Sequence, residues 1–185
     1  MPPLAARRSK KRRPDARTWA LAVALALGAP AHAEERALDL GGGKTLRYEV
    51  LDPRTQSSSA RDAALVVLRQ LADGNIREAA ALSNAPARRE EVLRDYQASV
   101  GEEEFKRVFA QYLSRHHDLV AEVAIGAHRL LIWKVAEDGQ RLAGQYYVEV
   151  DGRFLLDDVP SATRADLRRV LQSYRKAATS SGRKD

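Results

Sequence analysis

Between His128 and Val159 the sequence HRLLIWKVAEDGQRLAGQYYVEVDGRFLLDDV is interrupted twice by an Asp-Gly pair, Asp138-Gly139 and Asp151-Gly152. A two-residue type I′ turn needs φ > 0 at both central positions, and Asp-Gly tolerates that. The stretch therefore predicts three strands in a continuous antiparallel meander. Read as two-residue turns, the pairs also predict a register. The first sets Val135 opposite Leu142, Trp133 opposite Gly144 and Leu131 opposite Tyr146. The second sets Val148 opposite Leu155 and Tyr146 opposite Asp157. Side chains alternate along a strand, so one face is expected to carry Leu131, Trp133, Val135, Leu142, Gly144, Tyr146, Val148, Leu155 and Val159. The other carries Lys134, Arg141, Gln145 and Glu149 among Leu130, Ile132, Tyr147 and Phe154. Two turns read independently thus place the more apolar residues on one side.

What precedes the meander includes a segment that is not read as part of the fold. Residues 1–33 begin with a basic leader, continue with a short apolar run from Trp19 to Gly28, and end in Ala31-His32-Ala33. That order predicts a secretory signal peptide cleaved after Ala33, and a periplasmic or secreted protein. The apolar run is well short of the roughly 20 residues that span a bilayer, so no stable membrane anchor is expected after cleavage. No Arg-Arg-x-Phe-Leu pattern supports twin-arginine export. The chain has 0 cysteines, so neither a lipid-modified cysteine nor a disulfide is expected.

The leader also accounts for the charge. The whole chain has 31 basic and 25 acidic residues. Residues 1–33 hold seven of the basic ones and only Asp15 of the acidic ones, so 31 less seven and 25 less one leave 24 of each. A formally neutral mature chain lacks the positive footprint of nucleic-acid binding, and no nucleic-acid partner is expected. The remaining length suits one domain with a core large enough to stabilise it.

In chain order, Glu34 to Leu51 reads as a hairpin, with Leu38 and Leu40 before Gly41-Gly42-Gly43 and Leu46, Tyr48 and Val50 after it. The GGGK here is a turn and not a phosphate loop, because a strand follows it where a phosphate loop requires a helix. A polar linker leads to residue 59. Helices are then predicted from Ser59 to about Leu71, from Asn75 through IREAAALS, from about Ala87 to Gln97, and from Glu102 to Leu113. Leu119 to Ile125 is the next strand. To keep Glu122 out of the core, it is expected to pair Val123 with Leu131 and Ala121 with Trp133 through an odd connection, Gly126-Ala127-His128. A closing helix follows Pro160, with Thr163 and Asp166 as a capping box and Leu167, Val170, Leu171 and Tyr174 as its apolar stripe. Residues 179–185 are expected to be a disordered tail.

Helices followed by a long meander make an α+β domain, with N-terminal helices packed on a curved antiparallel sheet. From Ala60 to Val159 the chain resembles the NTF2-like superfamily, the cone fold shared by SnoaL-like polyketide cyclases and ketosteroid isomerases. The resemblance rests on Leu68, Leu71, Gly74 and Asn75 at an LxxLxxGN start and on the YYVEVDGRFLLDDV ending. The N-terminal hairpin (residues 34–59 with its linker) and the C-terminal helix are additions to that pattern. The main domain is expected over residues 60–178.

The resemblance implies an apolar cavity on the inner sheet face, where acids and tyrosines of such enzymes sit. In the predicted register that face offers Leu131, Trp133, Gly144, Tyr146 and Asp157 as cavity residues. Tyr146 across from Asp157 is the one candidate acid/base pair, set against the plainer reading of a strand-end carboxylate and a core phenol. His116-His117-Asp118 lacks further ligands at metal-binding spacing, and His128 reads as a turn residue, so no metal or other cofactor is expected. Arg88-Arg89 and Glu102-Glu103-Glu104 read as solvated helix ends. The expected role is non-catalytic: binding a small apolar ligand or a protein, with a second protomer as another candidate cover for the outer sheet face. The competing expectations are an isomerase- or cyclase-like enzyme using Asp157 with Tyr146, and a periplasmic immunity or inhibitor protein.

Overall fold

A computed structural model of the chain describes residues 33–52, 59–114, 119–134 and 141–181. The segment read as a signal peptide (save its last residue), Val135 with the Asp138-Gly139 turn, His116-His117-Asp118 and residues 182–185 lie outside them. Among the described residues the fold is α+β, with five helices and one curved six-stranded antiparallel sheet. The strands lie in sequential order: β1 (Ala33–Gly41), β2 (Lys44–Leu51), β3 (Leu119–Ile125), β4 (His128–Lys134), β5 (Leu142–Val150) and β6 (Arg153–Leu156). Between β2 and β3 the chain leaves the sheet and builds α1 (Ser59–Ala72), α2 (Ile76–Ala81), α3 (Pro86–Val100) and α4 (Glu102–Ser114). After β6 it closes with α5 (Ala162–Ser181). No helix among the described residues is long and apolar enough to cross a membrane.

The sheet is covered on both faces. Ala60, Ala64, Val67 and Leu71 of α1, with Leu93 of α3 and Phe105 of α4, pack in one core with Leu131, Trp133, Tyr147 and Leu156. Leu167, Val170 and Leu171 of α5 pack in a second core with Val123, Leu130, Ile132, Leu142 and Tyr48. The expected stripe of α5 is thus buried at Leu167, Val170 and Leu171, with Tyr174 half-buried beside them. Burying each such side chain contributes about 1.5–3 kcal/mol, so the two cores carry most of the folding free energy.

The second Asp-Gly turn forms as its chemistry requires, with φ at 50° for Asp151 and 74° for Gly152. Val148 accordingly pairs with Leu155. The two earlier registers are each displaced by one residue. Lys134 pairs with Leu142, where a two-residue Asp138-Gly139 turn would give it Ala143, and Leu131 faces Gln145 instead of Tyr146. Val123 pairs with Leu130, not Leu131, because Gly126-Ala127 alone makes the turn and Ile125 pairs with His128. The displacements cancel, so β3 from Ala121 onward, β5 and β6 keep their expected phase and β4 is turned over, while a bulge between Leu119 and Ala121 sets Leu119 against the helices. The Leu130-Leu131-Ile132-Trp133 run of β4 is buried on both faces, which leaves no alternation to set the phase. Consequently Glu122 does enter the core, sharing Leu131's face with its carboxylate 3.9 Å from the Arg129 guanidinium.

The closing helix differs from expectation at both ends. Its cap is Ser161, whose Oγ accepts the Arg164 N–H at 3.0 Å, and not Thr163. It remains helical through Ser181, so the predicted tail from residue 179 begins too early. The helix approaches the sheet closely at Gly144, where a Cβ would lie 2.6 Å from Leu171 Cδ2 and 2.9 Å from Leu130 Cδ1.

Candidate functional site

The loop between α2 and α3 is laced to the end of β6. Leu156 N–H donates to the Leu82 carbonyl at 2.8 Å, and Asn84 N–H donates to the Leu156 carbonyl at 2.9 Å. Side chains then tie the loop to Asp157 and Asp158. Asn84 Nδ2 donates to Asp157 Oδ1 at 2.9 Å, while Asn84 Oδ1 accepts the N–H groups of Asp158 and Val159 at 2.7 and 3.2 Å. The other oxygen of Asp157 lies 3.0 Å from His128 Nδ1. Ser83 Oγ and Arg89 Nε both donate to Asp158 Oδ2 at 2.7 Å, and Arg89 Nη2 completes a bidentate pair on Oδ1. With Arg89 26% and Asp158 13% exposed, this pair is largely shielded. Arg89 is therefore not the solvated helix end read from the sequence.

The expected cavity residues separate. Leu131 and Trp133 face the helices, where Trp133 Nε1 donates to Gln145 Oε1 at 3.0 Å. Gly144 and Tyr146 lie on the α5 face with Leu130 and Ile132. Asp157 follows β6, and its N–H donates to the Tyr146 carbonyl at 2.9 Å. That backbone bond is how the two candidate residues meet; the Asp157 carboxylate, 2% exposed as a residue, is taken by Asn84 and His128. His128 opens β4 and stands beside that carboxylate. Above Tyr146 lies the Arg164 guanidinium, 5.4 Å from the ring centre. Burial raises the Tyr146 phenol pKa, against the opposing pull of Arg168, Arg175 and Arg164.

Gly144, Tyr146 and Asp157 do line a cavity of about 320 Å³, together with Gln145. Its geometry follows from the short last strand. β6 covers only Tyr147–Val150 of β5, so among the described residues Leu142–Tyr146 has β4 on one side and no strand on the other. The cavity occupies this notch, between the helical layer and the start of α5. Val67, Leu68, Leu71, Leu93, Phe109 and Leu156 give it apolar walls, and Arg89, Asp158 and Arg164 stand at its polar end. A smaller recess of about 170 Å³ shares Arg89, Asp158 and Arg164 with that end and is lined besides by Arg88, Val92, Pro160 and Arg168.

An apolar chamber with a few convergent polar groups is the usual form of a small-molecule site. Of the expected cavity residues, Leu131 and Trp133 do not line it; Gln145, Leu156, Arg89 and Arg164, which do, were missed, as was the network of Ser83 and Asn84 beside it. Asn84 and Asp157 are 73 positions apart, and an arginine near a helix start looks the same in sequence whether solvated or not. Among the described residues no cluster of three metal-ligating side chains exists. No protein-family model, curated protein or solved structure matches this chain.

Proposed function

We propose that the chain is an exported, non-catalytic domain that holds a small, largely apolar molecule between its helical layer and its sheet. The observation that carries this reading is the notch cavity of about 320 Å³ with apolar walls from α1, α3, α4 and β6. Its volume is near the lower end of ligand pockets, roughly 300–1,000 Å³, which suits a single short chain or ring system. The non-catalytic part is supported by the acid that lines the cavity. Asp157 has one carboxylate oxygen on Asn84 and the other on His128, and at 2% exposed it offers little of either to a substrate proton. The NTF2-like cone belongs to the same proposal, supported by the order of helices before meander and by a cavity between the two layers.

The test is thermal unfolding of the chain with increasing 1-octanol. A ligand that binds only the folded state raises stability by about 2.7 kcal/mol at a hundredfold excess over Kd. A saturable upward shift in melting temperature is expected. A melting temperature that stays flat or falls at every concentration sinks the reading.

A further inference from the structure

We infer that the polar end of the cavity is a head-group site, and that the ligand is a single-chain amphiphile with an anionic carboxylate or phosphate head. This rests on the cavity-binding reading above. The recess that shares this end of the cavity brings four arginines, Arg88, Arg89, Arg164 and Arg168, against one acid, Asp158. That acid is already spent on Arg89 through the bidentate pair. Arg88, Arg164 and Arg168 have no ion pair among the described residues. Three like charges gathered at one opening repel each other, and an anion placed among them relieves that repulsion.

The concentration is local, because the chain beyond residue 33 carries equal numbers of basic and acidic residues. Arg164 is the pivotal group. It lines both the apolar cavity and the basic recess, so one guanidinium borders both. Its Nε is buried without a hydrogen-bond partner among the described residues, and its guanidinium carbon lies 5.4 Å from the centre of the Tyr146 ring. The planar fork of a guanidinium suits the paired oxygens of a carboxylate or phosphate. The apolar walls then take the tail.

Three probes with the same tail and different heads test this: octanoate, octyl phosphate and 1-octanol, titrated into the chain by calorimetry at low ionic strength. The charged probes are expected to bind at least about tenfold tighter than octanol, since charge-assisted hydrogen bonds are roughly twice as strong as neutral ones. That margin should shrink as salt is raised and screening sets in. The ratio of octanoate to octyl phosphate decides which head is preferred. In an Arg164→Gln, Arg168→Gln variant, the affinity ratio of each anion to octanol should fall to about one. Equal affinity of all three for the unaltered chain overturns the head-group site and leaves the cavity reading standing. An anion preference that survives in the variant also overturns it. Failure of all three to bind removes both proposals. Should the variant fail to fold, the three-probe comparison and its salt dependence on the unaltered chain still decide the matter.

Discussion

Asn84 and Asp157 are joined side chain to side chain, Nδ2 to Oδ1 at 2.9 Å, across a sequence separation of 73 residues. The amide is used from both ends, because Asn84 Oδ1 also accepts the Asp158 and Val159 N–H groups. This orientation fixes which end donates. Asn84→Asp keeps the shape, but its carboxylate would face the buried carboxylate of Asp157. A loss of about 2–4 kcal/mol at neutral pH is expected, from a missing hydrogen bond plus like charges in a shielded place. The loss should shrink as pH is lowered and one carboxyl of the pair takes up a proton. Urea unfolding of the variant between neutral and mildly acidic pH measures this. A loss that does not change with pH would mean that the two carboxylates do not meet.

Gly144 answers a different constraint. Its backbone is not left-handed; its lack of a side chain admits Leu171, which a Cβ would meet at 2.6 Å. Gly144→Ala should therefore push α5 away from β5 and cost about 1–3 kcal/mol by overpacking. Pairing it with Leu171→Ala removes the closer of its two clashes and leaves the one with Leu130 Cδ1 at 2.9 Å. The double variant is then expected to be more stable than the sum of the two single losses allows, and a double-mutant cycle reads that coupling. Additive losses would contradict the contact.

What could be read from the sequence follows from whether the deciding physics is local. Asp151-Gly152 announced its turn because the required positive φ restricts residue choice, and the pairing of Val148 with Leu155 followed. The buried stripe of α5 showed in its spacing. The phase of β4 did not, because Leu130 to Trp133 satisfies a core on either side equally well. The relation between Glu122 and the core then followed β4 and came out inverted. Ser83, Asn84, Asp157 and Asp158 form one network only because β6 ends where the α2–α3 loop passes. No spacing rule within either segment encodes that meeting. Arg164 gave no signal at all, since its significance lies in its position between a cavity and a basic recess.

Tyr147 makes alkaline pH informative. The side chain is fully buried and its hydroxyl has no hydrogen-bond partner among the described residues. Burial raises its pKa, with Arg89 opposing and Asp158 reinforcing the rise. The folded state thus holds the phenol proton more tightly than the unfolded state, whose value is about 10. The resulting stability is present below about pH 10 and is lost as pH rises beyond it. Tyr147→Phe removes both the unmet hydroxyl and the titration. At neutral pH the variant should match or exceed the original by about 1 kcal/mol. Above about pH 10 the original chain should lose stability more steeply. Tyr146 and Tyr174 are also raised by burial, but they are common to both proteins and cancel in the difference. Parallel pH profiles from denaturant unfolding would refute a buried, proton-holding Tyr147.

The cavity itself can be filled from α1. Val67 is 4% exposed and lines the chamber, whereas its neighbour Val66, about 100° further round the helix, is 42% exposed and does not line it. Val67→Phe places a ring where the ligand tail is proposed to lie. Because the ring enters existing space, the stability change should stay below the roughly 1–3 kcal/mol of ordinary overpacking. Octanol binding should fall at least about tenfold, the equivalent of 1.4 kcal/mol. Val66→Phe makes the same chemical change outside the chamber and should leave binding untouched. Calorimetric titration of both variants separates a tail site from a general effect of added aromatic surface. If Val66→Phe weakens octanol as much as Val67→Phe does, the tail does not lie in this chamber.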